Sequence, residues 1–506
     1  MMRLPPCLAR SYLSVDHFRG RSTLELTMQS NTNGAAERSG AKPRVSGWVL
    51  ASLALSMLLS SLGISIANVA LPALAQAFDA PFQHVQWVVL AYLLAVTIMI
   101  VSAGRLGDIF GHKRVLLFGI ALFMLASAAC GLVSSLWMLV AARALQGLGA
   151  SVLMALTIAS VRDIVADGKT GSAMGLLGTM SAIGTALGPS LGGFLLASAG
   201  WRAIFLVMVP LGVLNLLLAS RFLPASRPAQ KAAGFDGPGT LLLGAALAAF
   251  ALAATSGGGR FGWSNAVLLA GALVAGGLFL LVEARVASPL IRPSAFRNAG
   301  LSGSLAMNML VSTVMMATFV VGPFYLSRAL GLNAASVGLV LSVGPVIATL
   351  TGIPAGRVVD RLGASAVVLV GLTLMAAGAF ALATMPAAAG VAGYIAGIAV
   401  LTPGYQLFQA ANNTAVMMDV APDRRGVVSG MLSLSRNLGL IIGASVIGAV
   451  FALASGAIDG AAAPPEAVAA GMRTSFAVAG GLMLAAIAIG YLSRRRLDVA
   501  LAEDRG

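Results

Sequence analysis

Fourteen apolar runs, each about 20 residues long, take up most of this 506-residue chain and constrain its fold more than any other feature. They lie near residues 47–71, 84–104, 115–133, 136–161, 171–196, 203–223, 237–257, 265–286, 300–325, 334–355, 364–385, 388–412, 427–453 and 473–492. Crossing roughly 30 Å of hydrocarbon takes about 20 helical residues, so each run can span a bilayer. None alternates apolar and polar residues as barrel strands do, which predicts helices. With 58% apolar and 10% charged residues, one soluble domain would expose large apolar patches. The expected class is an all-α polytopic membrane protein, with both termini on one side because the number of spans is even.

A net charge of +15 raises nucleic acid as a partner, and the placement of the basic residues argues against it. The links on the side of the N-terminus hold nearly all of them. The opposite links carry only Arg202, Arg260, Arg328 and Arg473, while Arg143 and Arg436 fall inside runs. By the positive-inside rule both termini are cytoplasmic, and the cytoplasmic (inner) membrane of a bacterium is the expected location. Residues 1–46 mix charges without the apolar core of a signal peptide and read as a disordered tail, within which Met28 is a second candidate start. Cys7 in the tail and Cys130 in a run form no disulfide framework. No zinc-ligand spacing and no glycine-rich phosphate loop with its lysine is present, so neither a metal, a cofactor nor direct ATP hydrolysis is expected.

The runs are organised by an internal repeat. Gly104-Arg105-Leu106-Gly107-Asp108-Ile109-Phe110-Gly111 returns 252 residues later as Gly356-Arg357-Val358-Val359-Asp360-Arg361-Leu362-Gly363, each at a link between helices on the cytoplasmic side. Gly171, Gly175, Gly184 and Gly188 return as Gly426, Gly430, Gly439 and Gly443 at an offset of 255. The repeat predicts two related six-helix bundles, residues 47–223 and 300–493. Between them, 224–299 supplies linkers and an inserted helix pair, and 494–506 forms a second tail.

At these residues the chain resembles the major facilitator superfamily, and more narrowly its fourteen-helix drug:proton antiporter branch. The most specific match is Gly104 through Arg114, with Gly104, Arg105, Asp108, Gly111, Lys113 and Arg114 in the positions of the superfamily's loop motif. A carboxylate near helix ends and beside basic groups can latch two helices in one state and release them in another. The resemblance implies that gating role, steadying the outward-facing form, and the repeat extends it to Gly356, Arg357, Asp360 and Gly363. Arg143 through Ala150 resembles a second motif, whose arginine the family associates with proton transfer. Arg143 then belongs to coupling with Gln146, or else anchors a buried hydrogen-bond network.

Gly184, Gly188, Pro189, Gly192 and Gly193 resemble the antiporter motif of the fifth helix, which implies export; the same small residues also serve close packing alone. Trp201 and Arg202 match the start of the family's sixth helix and suit an interfacial anchor. Arg436 reads as a cavity residue or as the partner of a helix-end carbonyl. Gln406, Gln409, Asn412 and Asn413 can share a face as a polar wall for cargo or bond helix to helix.

One departure stands out. Gly63 occupies the place of the family's proton-handling carboxylate, and all seventeen Asp and Glu residues fall at links, ends or tails. With Arg143 and Arg436 inside, the cavity is expected to be neutral to positive and to favour neutral or anionic cargo over lipophilic cations. Coupling then runs through Asp108, through Asp79 with His84, or through a carboxylate on the cargo. The resulting expectation is a secondary active exporter of small molecules, not an enzyme, working as a monomer by alternating access and driven by protons. The alternatives are an uptake symporter or facilitator for a small organic anion and, more distantly, a polytopic membrane enzyme. The last lacks clustered catalytic groups, since His17, His84 and His112 are scattered.

Overall fold

The computed structural model describes residues 47–164, 170–224, 236–255, 262–286, 298–418, 425–456 and 463–503. The expected N-terminal tail with Cys7 and Met28, several basic links and 504–506 lie outside them. Fourteen of the described helices are long and apolar enough to cross a membrane. They are α1 (Gly47–Ala77), α2 (Trp87–Phe110), α3 (His112–Leu132), α4 (Leu136–Ile164), α5 (Thr170–Ala199), α6 (Met208–Phe222, led in by the turn Trp201–Leu206) and α7 (Gly237–Thr255). The remainder are α8 (Trp263–Glu283), α9 (Ala299–Phe324), α10 (Ala334–Leu362), α11 (Ala364–Ala383), α12 (Gly390–Met418), α13 (Arg425–Ile442) and α14 (Pro465–Glu503). A π turn Tyr325–Ala329 extends α9, and α13 passes through a second π turn, Gly443–Ile447, into Gly448–Ser455. Among the described residues no strand occurs.

Each expected run is found as a helix, and several helices outrun their apolar core. The 494–503 part of the expected tail continues α14 as helix. Local chemistry sets the other ends. The Asn298 side chain accepts from Leu301 N at 3.1 Å to start α9, and that of Asn333 from Ser336 N at 2.9 Å to start α10. Gly111 and Gly363 hold φ of 92° and 80°, which lets α2 turn into α3 and α10 into α11 with no intervening loop.

Two six-helix bundles follow, and they pack alike. In the first, α1 lies on α5, α2 on α4, and α3 on α4 and α6; in the second, α9 lies on α13, α10 on α12, and α11 on α12 and α14. The bundles meet through α5 on α10, α1 on α9 and α2 on α13. The inserted pair α7–α8 is not set apart from them. Trp87 Nε1 donates to Thr255 Oγ1 at 3.1 Å near one end of α7, and Ser102 and Thr240 hydroxyls meet at 2.9 Å near the other. On its far side Phe279 of α8 joins an apolar cluster with Leu305, Val416 and Met431 of the second bundle. Leu273 and Val274 of α8 stay 70% and 62% exposed, which is sensible only where lipid takes the place of water.

Candidate site: a cavity where the bundles meet

The two halves repeat one local device. On α1 the Ser65 hydroxyl reaches Gly184 O of α5 at 3.2 Å, and on α9 the Thr313 hydroxyl reaches Gly439 O of α13 at 3.1 Å. These bonds form because the facing helix has no side chain there. A Cβ on Gly184 would lie 2.6 Å from Leu58 O, and one on Gly443 2.5 Å from Thr313 O. Gly188 and Gly192 likewise face Ser65 and Ile66 of α1. The small residues singled out in the fifth helix therefore seat α5 against α1.

Gly193 does something different, since its Cβ position points into the other bundle, 2.7 Å from Ala334 O and 2.8 Å from Gly338 Cα. Gly338 in turn faces Pro189 O and Gly193. The bundles thus touch backbone to backbone at the end opposite the N-terminus of α1. Phe82, just before α2, adds to that closure by packing on Phe324 and Phe451 at 4.8 Å and 5.4 Å between ring centroids. Toward the basic end, Cβ atoms placed on Gly104 of α2, Gly178 of α5 and Gly356 of α10 would meet open space, with no neighbouring helix among the described residues.

Between the two bundles lies a cavity of about 140 Å³. Ser61, Ser65 and Asn68 of α1 and Thr185 of α5 form one wall; Ser312, Met315 and Phe319 of α9, Tyr394 and Tyr405 of α12, and Arg436 of α13 belong to the other. Most of its hydroxyls are already used. Thr185 donates to Ser181 O, Ser312 to Asn308 O and Thr318 to Met315 O, so these walls present methyl and methylene surface. Arg436 is the one charged residue among the described lining, and it has no hydrogen-bond or ion-pair partner among the described residues. Asn68, 1% exposed, donates Nδ2 to Ile64 O at 3.0 Å and leaves Oδ1 without a donor. Asn68, Tyr394 and Tyr405 were not singled out from the sequence, although an asparagine in the middle of an apolar run is a signal that marks such a residue.

The remaining expected site residues lie elsewhere. Arg143 and Gln146 sit inside the first bundle, fully buried, and not in the cavity wall. Arg143 Nε donates to Val88 O at 2.9 Å, its NH1 donates to Gln146 Oε1, and Gln146 Nε2 donates to Ser127 Oγ at 2.7 Å. The guanidinium covers the Tyr92 ring at 4.2 Å, and its NH2 has no hydrogen-bond partner among the described residues. Gly63 belongs to the same neighbourhood. A Cβ there would lie 2.9 Å from the Tyr92 hydroxyl, which donates to Ser60 O at 2.9 Å. In place of a first-helix acid, this chain puts a tyrosine between α1 and the buried arginine.

On α12, Gln406 Nε2 donates to Ala348 O of α10 at 2.6 Å and Gln409 Nε2 reaches Tyr405 Oη at 3.3 Å, so both act helix to helix or within α12. Asn412, fully buried with both side-chain polar atoms unpartnered, lines a separate cavity of about 600 Å³ with Asp360 and Gly363 at the basic end. In the first loop motif Asp108 pairs with His112 at 3.1 Å, and Lys113 Nζ donates to Leu223 O at 2.6 Å, capping α6 where the helix dipole favours a cation. Asp108, Arg114, Arg357 and Asp360 are exposed, and Gly104, Arg105 and Gly356 are half-buried. Among the described residues no group of His, Cys, Asp and Glu is arranged to hold a metal.

The comparisons with known proteins agree with this architecture. The uncharacterized transporter YebQ of Escherichia coli (strain K12) is 33% identical over 76% of this chain and 84% of its own. The riboflavin transporter RibZ of Clostridioides difficile (strain 630) is 29% identical over 80% and 88%. The multidrug resistance protein Stp of Mycobacterium tuberculosis is 31% identical over 80% and 75%. A solved bacterial homologue of the human lysosomal transporter Spinster, in an inward-facing and unoccupied conformation, superposes over 90% of this chain and 98% of its own with a TM-score of 0.66 at 16% identity. The sequence profile of the Major Facilitator Superfamily matches residues 53–444 and again 304–504, so with its two like bundles and the cavity between them the chain belongs to that superfamily of transporters.

Proposed function

We propose that this chain exports small molecules across the cytoplasmic membrane, driven by the proton gradient, by exposing the central cavity to each side in turn. One observation carries the reading: the cavity lies between two bundles that touch backbone to backbone at Gly193 and Gly338, toward one end of the molecule. Such a contact has no side chain to rearrange, so rocking one bundle against the other can break it and close the basic end instead. The basic end is the cytoplasmic one on this reading, and the protein works as a monomer. Asp108 and Asp360, exposed at the two matching links, then become latches when that end closes. The Arg143–Gln146–Tyr92 cluster is the candidate for proton coupling, because it holds a buried cation with a free N–H group.

Export is supported by the resemblance of the glycine-proline stretch of α5 to the antiporter motif, and the resistance in the name of the relative Stp is an outcome that export would produce. Uptake or facilitated passage of a small organic anion is the second reading, favoured by the lone cation in the cavity. The test is transport in inverted membrane vesicles with a panel of dyes and organic acids, recording internal pH. Cargo accumulation accompanied by proton release from the vesicles is the expected result. Accumulation unaffected by collapse of the proton gradient refutes the coupling, and movement only down the cargo gradient refutes active export.

A further inference from the structure

The central cavity presents two polar groups that lack a partner among the described residues, the Arg436 guanidinium on one bundle and Asn68 Oδ1 on the other. On α13 the Arg436 guanidinium has no anion or acceptor among the described residues, in a lining that includes Met315, Met316, Phe319, Leu341 and Leu440. Arg436 is half-buried, and a carboxylate matches its planar fork with two parallel hydrogen bonds. On α1, Asn68 Oδ1 is buried and accepts nothing, while its amide orientation is fixed by the bond from Nδ2 to Ile64 O. It requires a donor. The space between is apolar and about 140 Å³, close to the roughly 150 Å³ that takes one benzene ring in an apolar protein interior.

We infer that the cargo is a small aromatic monocarboxylate carrying a hydrogen-bond donor away from its carboxylate, with Arg436 as the residue that selects the anion and Asn68 as the residue that reads the donor. The inference rests on the reading of this cavity as the cargo site and adds the chemical class. With no acid among the described lining residues, an organic cation meets only repulsion from Arg436. The carboxylate and the hydroxyl lie at opposite ends of the ring, so the cargo bridges α13 of one bundle and α1 of the other. Affinity for such a molecule then depends on how the two bundles stand relative to each other.

Calorimetric titration of the purified full chain in lipid nanodiscs tests this with four probes: 4-hydroxybenzoate, benzoate, 4-hydroxybenzyl alcohol and 4-hydroxybenzylamine. Binding is expected in that order, with the acid roughly tenfold to hundredfold tighter than the alcohol and no heat from the amine. Arg436→Gln should remove that margin by bringing the acid's affinity down to about that of the alcohol, and Arg436→Lys should keep part of it. Asn68→Leu should erase the advantage of 4-hydroxybenzoate over benzoate. If Arg436→Gln does not fold, the ranking of the four probes on the native chain and the Lys variant still decide.

An amine that binds as tightly as the acid overturns the inference, as do unchanged acid affinity in Arg436→Gln and absence of binding by all four. The reading as an exporter fails separately. Binding in the expected order without uphill transport in vesicles removes export and leaves the anion site. Uphill export of the amine with no binding of the acid does the reverse.

Discussion

A single missing side chain at Gly63 changes what surrounds the buried arginine. With no Cβ there, the Tyr92 hydroxyl reaches Ser60 O and its ring lies flat against Arg143. Gly63→Ala is expected to cost about 1–3 kcal/mol of stability by overpacking, and to cost less in a Tyr92→Phe background where the crowding oxygen is gone. Thermal unfolding of the purified single and double variants measures both. Gln146→Leu should cost roughly 1–3 kcal/mol because Arg143 NH1 loses its acceptor in a buried site, whereas Arg143→Leu combined with Gln146→Leu should cost less than the two single changes added. At this scale the sequence was only partly informative. It flagged Arg143 and Gln146 as intramembrane polar groups, but which way a helix turns them is decided by packing, and here they face inward within one bundle. Arg436 carried the same signal and faces the cavity.

Helix pairs show where the sequence speaks most clearly. The repeated loop motif predicted matching links, and both are found with a positive-φ glycine and a bond back into the preceding helix, Gly111 N to Gly107 O at 2.8 Å and Gly363 N to Val359 O at 2.9 Å. Gly111→Ala and Gly363→Ala should each lower stability by about 1–2 kcal/mol, read by the same melts, since an L side chain strains at that φ. The glycine stretch of α5 was equally visible as small residues, yet spacing alone did not show that one of its members faces the other bundle. Gly193→Leu is expected to wedge α5 from α10 and shift the population toward opening at that end. A cysteine at Ser312 should then gain reactivity toward an impermeant maleimide added from the side on which the Gly193–Gly338 contact lies, with Cys130 shielded by burial. Unchanged labelling in the presence of a folded variant counts against the contact as a gate.

For the whole molecule, hydropathy was enough to give fourteen helices, because a bilayer forces backbone groups to pair within each span, and the internal repeat was enough to give two bundles. The position of the inserted pair was not legible, since a lipid-facing helix carries the same apolar code whichever neighbour it has. The hydroxyl contacts of α7 at Ser102 and Trp87 fasten it to α2, so the pair should travel with the first bundle. A disulfide between cysteines at Ser102 and Thr240 should therefore leave transport intact, while one between cysteines at Gly193 and Gly338 should stop it; vesicle uptake before and after reduction reads the difference. That fastening has a further consequence for where molecules dissolved in the bilayer can come from. Because α7 and α8 shutter the seam between α2 and α13, a lipophilic compound diffusing within a leaflet finds that flank walled off, and any sideways route into the protein must use the α5–α10 flank alone.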